Sequence, residues 1–205
     1  LHGLKASAEA LDCGNAGTGM RLLTGLLSAQ AFDSVLVGDA SLSKRPMARV
    51  IRLLEAMGAH IDARDGNFAP LRIHGGRVLQ GQSVDTQVAS AQVKSALIFA
   101  ALYAEGETVI TEPRPTRDYT ESMLKALGWP ITFEPGRVAL CGGGRLHAVN
   151  FRIPGDISSA AFLIAAALLI PGSDITLRNI GINPRRTGVL QAFKLMGGDL
   201  GLYDE

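Results

Sequence analysis

The chain has 205 residues, 47% of them hydrophobic and 19% charged, with a formal net charge of +1. That supplies enough apolar material for one or two packed soluble domains and excludes the basic surface of a nucleic-acid binder. The most apolar run, residues 164–170, is interrupted on both sides well short of the roughly 20 residues of a membrane span, so no transmembrane helix is expected. No basic, apolar leader opens the chain, which reads as cytoplasmic; its first residue is Leu rather than Met, as in a fragment.

In chain order, the first informative stretch is residues 11–21, LDCGNAGTGMR. An apolar segment runs through a turn containing Gly14, Asn15, Gly17, Thr18 and Gly19 into a helix at residues 18–29. Backbone N–H groups and the helix dipole converge at such a start, which suits an anion. The turn fits neither GxGxxG nor GxxxxGK[ST]. Met20, Leu23 and Leu27, widened by Leu22 and Leu26, form the apolar stripe of this helix.

A β-like run at residues 34–38 follows, then an arginine-bearing loop and a second helix with Pro46 in its first turn. Met47, Val50, Ile51, Leu54 and Met57 line that helix, and Gly58 caps it. Strands near residues 60–63 and 71–74 flank an Asp65-Gly66 hairpin turn.

The pattern then repeats. A helix at 90–104, a strand at 108–111, a cap at Gly128 and strands at 131–133 and 137–140 around Pro135-Gly136 make a second unit. A helix at 158–170, a strand at 174–177 and a cap at Gly197 begin a third, whose hairpin starts with DLGLYDE and lacks its return strand. The chain is therefore read as truncated at this end too. The fold class is α/β, built on a repeated β-α-β-α-β-β unit, with the first helix of every unit largely buried.

Thr18 to Arg45, Ser90 to Arg117 and Ser158 to Arg185 are each 27 residues apart. A short strand running antiparallel to its helix returns each arginine to the helix start, making a double anion site. The first such site comprises Asn15, Gly17, Thr18 and Arg45, with Arg21 one turn into the helix; the second comprises Ser90, Gln92 and Arg117. Guanidinium groups hold carboxylate and phosphate bidentately, so two small anionic substrates are implied.

Other polar residues read more plainly. Arg114 and Arg186 flank the repeat arginines, and Lys44, Arg49 and Arg52 read as a solvated helix face. His2, His60, His74 and His147 lack ligand spacing, Cys13 and Cys141 read as reduced thiols, and no metal site is expected. Asp156 reads as an N-cap.

The segments GNAGTGMRLL, GDASLSKRPM, VASAQVKSALI and PTRDYTESML resemble the enolpyruvyl transferase family, over essentially the whole chain. The resemblance implies two domains, each of three repeat units, forming an inside-out α/β barrel that is incomplete here. Residues 1–152 would be most of the first domain and 153–205 the start of the second. It implies transfer of the enolpyruvyl group of phosphoenolpyruvate to the 5-hydroxyl of shikimate 3-phosphate, releasing phosphate through a tetrahedral intermediate. This belongs to the shikimate pathway of chorismate and aromatic amino-acid biosynthesis, in a monomer without cofactor or metal.

By motif, Asn15, Gly17, Thr18, Arg45 and Gln92 correspond to phosphoenolpyruvate contacts, where glyphosate-type inhibitors also bind. Ser90, Ala91, Gln92 and Arg117 correspond to shikimate 3-phosphate contacts; Arg21 resembles a residue of the first site, and Asp156 lies in a loop that relatives bring near the shikimate phosphate. Ala91 stands where many relatives carry serine, leaving only its backbone to contribute. The family's early Lys-Ser pair and its later Asp, Lys, Glu and Arg groups fall outside the chain, so no catalytic residue is assigned and the chain is expected to be inactive alone. The sister enzyme acting on UDP-N-acetylglucosamine is an alternative, disfavoured because GDASLSKRP lacks its cysteine; a non-catalytic anion-binding repeat protein is another.

Overall fold

The computed structural model describes residues 3–203, and His2 lies outside them. It divides into two compact units, one ending at Ala148 and one beginning at Val149.

The first unit contains two copies of one topology. β1 (Leu11–Asp12), α1 (Gly17–Leu27), β2 (Ser34–Val37), a 3-10 turn (Leu42–Lys44), α2 (Ala48–Ala56), β3 (His60–Arg64) and β4 (Phe68–His74) form the first. β5 (Ser83–Asp85), α3 (Ala91–Ala101), β6 (Glu107–Thr111), α4 (Tyr119–Ala126), β7 (Ile131–Glu134) and β8 (Arg137–Cys141) form the second. The sheets are ordered β1-β2-β4-β3 and β5-β6-β8-β7, each with one parallel pair followed by antiparallel ones. The β-α-β-α-β-β unit and the α/β class follow from the sequence as expected; the described residues contain two four-stranded sheets and no closed barrel.

Alternation dictates which sheet face is buried. In β4, Ala69, Leu71 and Ile73 are fully buried while the residues between them face out. The α2 stripe of Met47, Val50, Ile51, Leu54 and Met57 closes over the same core. Asp65 (φ 53°) and Gly66 (φ 65°) take the left-handed pair that a tight hairpin needs. α1 and α3 pack so closely that a Cβ on Gly25 would lie 2.0 Å from the Ala96 carbonyl oxygen. A side chain there would force the two repeats apart.

Three expectations need correction. Pro46 is not in the first turn of α2: the helix begins at Ala48 because Asn67 Oδ1 accepts from the amides of Met47 (3.0 Å) and Ala48 (2.8 Å). In the second unit, α5 (Ile157–Leu169) and α6 (Gly188–Leu195) form, but residues 174–177 make no strand. Pairing there is confined to a parallel bridge, Gly155↔Ile180, since no antiparallel neighbour exists among the described residues. α5 is also largely exposed. Only Ile157 and Ala160 are buried, against Leu190, while Phe162 and Leu169 are 79% and 80% exposed. No described helix is long and apolar enough to cross a membrane.

Candidate functional site: an arginine cluster at the start of α1

The loop after β2 returns Arg45 to the start of α1, as the repeat spacing demands. Arg45 donates from Nη2 to Asn15 Oδ1 and, at 3.4 Å, to Ser41 Oγ. Asn15 in turn donates from Nδ2 to Asp39 Oδ2 at 2.8 Å. The Leu42 amide also donates to Asp39 (2.7 Å), and chiefly this bond holds the Asp39 carboxyl below its ordinary range; Asn15 and the Arg45 charge help.

Arg21 reaches the same place from within the helix. It donates to the Gly17 carbonyl (3.2 Å), the Pro46 carbonyl (3.0 Å) and Gln92 Oε1 (2.9 Å). A Cβ on Gly17 would stand 3.1 Å from Arg45 Nη1 and 3.3 Å from Arg21 Nη1, so the bare glycine is what lets both guanidiniums crowd the helix start. Burial, then the charges of Arg45 and Arg49, push the Arg21 pKa down. Two guanidiniums and a helix N-terminus meet there, with the Arg49 charge also acting on Arg21, and an anion would relieve their repulsion.

Gln92 joins the two repeats. While its Oε1 accepts from Arg21, its Nε2 donates to Thr18 Oγ1 at 2.8 Å, holding the second residue of α3 against the start of α1. Asn15, Gly17, Thr18, Arg21, Arg45 and Gln92 are thus one network. Ser90 caps α3 by accepting from the Val93 amide (3.4 Å), and Ala91 is the first residue of that helix.

Arg117 lies half-buried in the loop after β6 and makes no hydrogen bond or salt bridge among the described residues. That loop is at the α3 start because β5 and β6 run parallel, with the Thr86 amide donating to the Thr111 carbonyl (3.0 Å). Behind it sits a buried ionic triad. Lys94 Nζ is 2.9 Å from Glu112 Oε2 and 2.8 Å from Glu121 Oε1, with all three side chains at most 5% exposed. Thr116 donates to Glu112 from both its hydroxyl and its amide, so the triad anchors the Arg117 loop.

In the second unit, Asp156 caps α5 by accepting from the Ser158 amide (3.0 Å). The arginine that meets it is Arg186, at 3.2 Å, and not Arg185 of the 27-residue spacing. Turn geometry sets this shift: Asn183 accepts from the Arg185 amide (2.9 Å) and the Arg186 amide bonds back to the Asn183 carbonyl (2.8 Å). The Ser158 amide, then the Arg186 charge and hydrogen bond, hold the Asp156 carboxyl below its usual range.

The family model described as EPSP synthase (3-phosphoshikimate 1-carboxyvinyltransferase) matches residues 2–203. The chain belongs to the EPSP synthase family. A 3-phosphoshikimate 1-carboxyvinyltransferase of Xanthomonas campestris pv. campestris is 61% identical over 200 residues, covering 98% of this chain and 46% of that protein. One from Xanthomonas axonopodis pv. citri is 60% identical over 201 residues with the same coverage. The EPSP synthase structure from Acinetobacter baumannii superposes with a TM-score of 0.87 at 53% identity, covering 97% of this chain and 45% of that one. The chain spans about half the length of the curated relatives it matches.

In this member of the EPSP synthase family, Asp39, Arg49 and the Lys94 triad join the site without being among the residues that the repeat spacing places at the two helix starts. Asp39 had a visible signal, an acidic residue just past a strand and three before Leu42, the spacing of a side-chain cap. Lys94 had another: one cation in the helix AQVKSALIFAA, which must find carboxylates once that helix is buried. Arg49, exposed on α2, acts only through its charge on Arg21, and no motif marks it.

Proposed function

We propose that this chain supplies the phosphoenolpyruvate and shikimate 3-phosphate contacts of a 3-phosphoshikimate 1-carboxyvinyltransferase, the enzyme that moves an enolpyruvyl group onto the 5-hydroxyl and releases phosphate. One observation carries the reading: Arg21 and Arg45 converge on Gly17 at the start of α1, and Gln92 ties that point to the start of α3. Family membership and the match in names at 60–61% identity support it.

In this reading Arg45, oriented by Asn15, neutralises the carboxylate or phosphate of phosphoenolpyruvate, and the α1 amides and Thr18 complete its cradle. Arg21 adds charge while holding Gln92, which sits between the two substrates. Ser90, the Ala91 backbone and Arg117 receive shikimate 3-phosphate. The chain's role is then to place two anions side by side, which removes orientational freedom from the reaction. Proton transfer, worth about 10²–10⁴-fold per group, is assigned to no residue of this chain, which spans about half the length of its relatives, so the chain alone should not turn over. Residues 1–152 and 153–205 would belong to the enzyme's first and second domains, and glyphosate-type inhibitors would occupy the Arg45 side.

Calorimetric titration of the chain with shikimate 3-phosphate tests this. Weak binding that Arg117→Ala abolishes is the expected result. No binding by a folded sample, or binding indifferent to Arg117→Ala, would overturn the assignment.

A further inference from the structure

The β3–β4 hairpin carries side chains that the anion sites do not use. Its inner face buries Ile61, Leu71 and Ile73, so alternation turns His60, Asp62 and His74 to the other face. Strand register then brings together three residues scattered in sequence: His60 pairs with His74 across the ladder, and Asp62 follows two residues along β3. His74 Nε2 lies 2.8 Å from Asp62 Oδ2, and His60 Nε2 lies 3.7 Å from Asp62 Oδ1. The two imidazole rings stack with centroids 4.3 Å apart, and one ligand atom from each of the three residues falls within 4.8 Å of the others.

Those separations bracket the need of a small metal ion. Bonds of about 2.0–2.2 Å to nitrogen and oxygen in a tetrahedron place ligand atoms about 3.3 Å apart. The side chains are 49%, 63% and 28% exposed at His60, Asp62 and His74, so they can turn inward by that margin while the ladder holds their backbones. His74 also has an outer partner: its Nδ1 is 3.9 Å from Asp33 Oδ2, and Asp33 is itself fixed by the Gly75 amide at 3.0 Å. A carboxylate beside Nδ1 favours the proton there, so that Nε2, hydrogen-bonded to Asp62 in the metal-free arrangement, can present its lone pair to a metal that binds both residues.

We propose that His60, Asp62 and His74 form a Zn²⁺ site on the outer face of the hairpin, with Asp33 orienting His74 and the fourth position open to solvent. Two imidazoles and one carboxylate suit borderline transition-metal ions rather than Mg²⁺ or Ca²⁺, which take oxygen ligands. Bound metal would also tie β3, the edge strand of its sheet, to β4. The site shares no residue with the arginine cluster, so its fate is independent of the proposed activity.

The test is calorimetric titration of the chain with Zn²⁺ alone and, separately, with Mg²⁺. The expected result is one saturable equivalent of Zn²⁺ and none of Mg²⁺. Affinity should fall more than tenfold in His60→Ala and in His74→Ala, and about 10–100-fold in Asp33→Asn through the outer contact. Far-UV circular dichroism checks that the variants fold, which substitutions on an exposed face should allow. Co²⁺ in place of Zn²⁺ supplies a second readout, an absorption band of low-coordinate cobalt lost in His74→Ala. Absence of saturable Zn²⁺ binding would overturn the proposal, as would binding that survives both histidine substitutions.

Discussion

The two repeats of the first unit share a topology and differ in how they hold the loop that returns an arginine to its helix. In the first, the loop after β2 is plugged by Leu42, fully buried and so close over Gly38 that a Cβ there would lie 2.6 Å from Leu42 Cδ2. In the second, the loop after β6 is clamped by Lys94, Glu112, Glu121 and Thr116. Apolar periodicity sets the shared fold, while the packing of one loop is free to be greasy or ionic. The two solutions fail differently: an apolar plug loses in proportion to the atoms removed, whereas an ionic clamp loses most when a single partner is taken away.

The largest effect is expected for Lys94→Met. It leaves Glu112 and Glu121 buried without their cation, which should cost about 3–5 kcal/mol, read as a fall in the urea midpoint. Replacing all three charges together, as Lys94→Met with Glu112→Gln and Glu121→Leu, should recover most of that loss, because the penalty belongs to the unpaired charges. A triple variant as unstable as the single one would sink the clamp reading. Leu42→Ala comes next, at about 2–5 kcal/mol by the same assay, and no partner substitution in the loop should rescue it. Smaller in stability is Gly17→Ala, whose Cβ must push Arg45 Nη1 back from 3.1 Å by a few tenths of an ångström. Its effect should appear as weaker anion binding at the α1 start with a nearly unchanged urea midpoint; unchanged affinity would mean that Arg45 can move at no cost.

This contrast also shows what could be read beforehand. The hairpin strands, their turns and the glycine caps of both repeats were legible because each depends on near neighbours: the alternation in β4, the Asp65-Gly66 pair, the left-handed Gly58 at φ +104°; the short β5 strand, Ser83–Asp85, was not. The meeting of Arg45 with Gly17 was legible too, since a short strand between helix and arginine leaves little choice of end. The start of α2 was not, because Asn67, from the far side of the hairpin, decides it. Nor was the exposure of α5: its apolar sequence says that it can be buried, and only the elements packed against it say whether it is. The His60–Asp62–His74 cluster was invisible for the same reason, since its spacing matches no local ligand pattern and exists only in strand register.

The smallest effect concerns acid. Asp39, exposed in the first repeat's loop, accepts from the Leu42 amide and from Asn15, and these bonds with the Arg45 charge hold its carboxyl below the ordinary value of 3.8. A carboxyl depressed on folding adds stability that is fully present above its unfolded value and is lost as pH falls through the folded one. The first repeat should therefore loosen below about pH 4, just where the Leu42 plug alone would feel nothing. Asp62 and Asp156 are also depressed, so the whole chain has an acid slope and Asp39 must be isolated by difference. Urea midpoints of the parent and of Asp39→Asn should converge as pH drops from 6 toward 3, because protonation removes from the parent what the substitution has already removed. A constant gap would mean that Asp39 stabilises the loop by shape alone, and that the first repeat's arginine is held without its carboxylate.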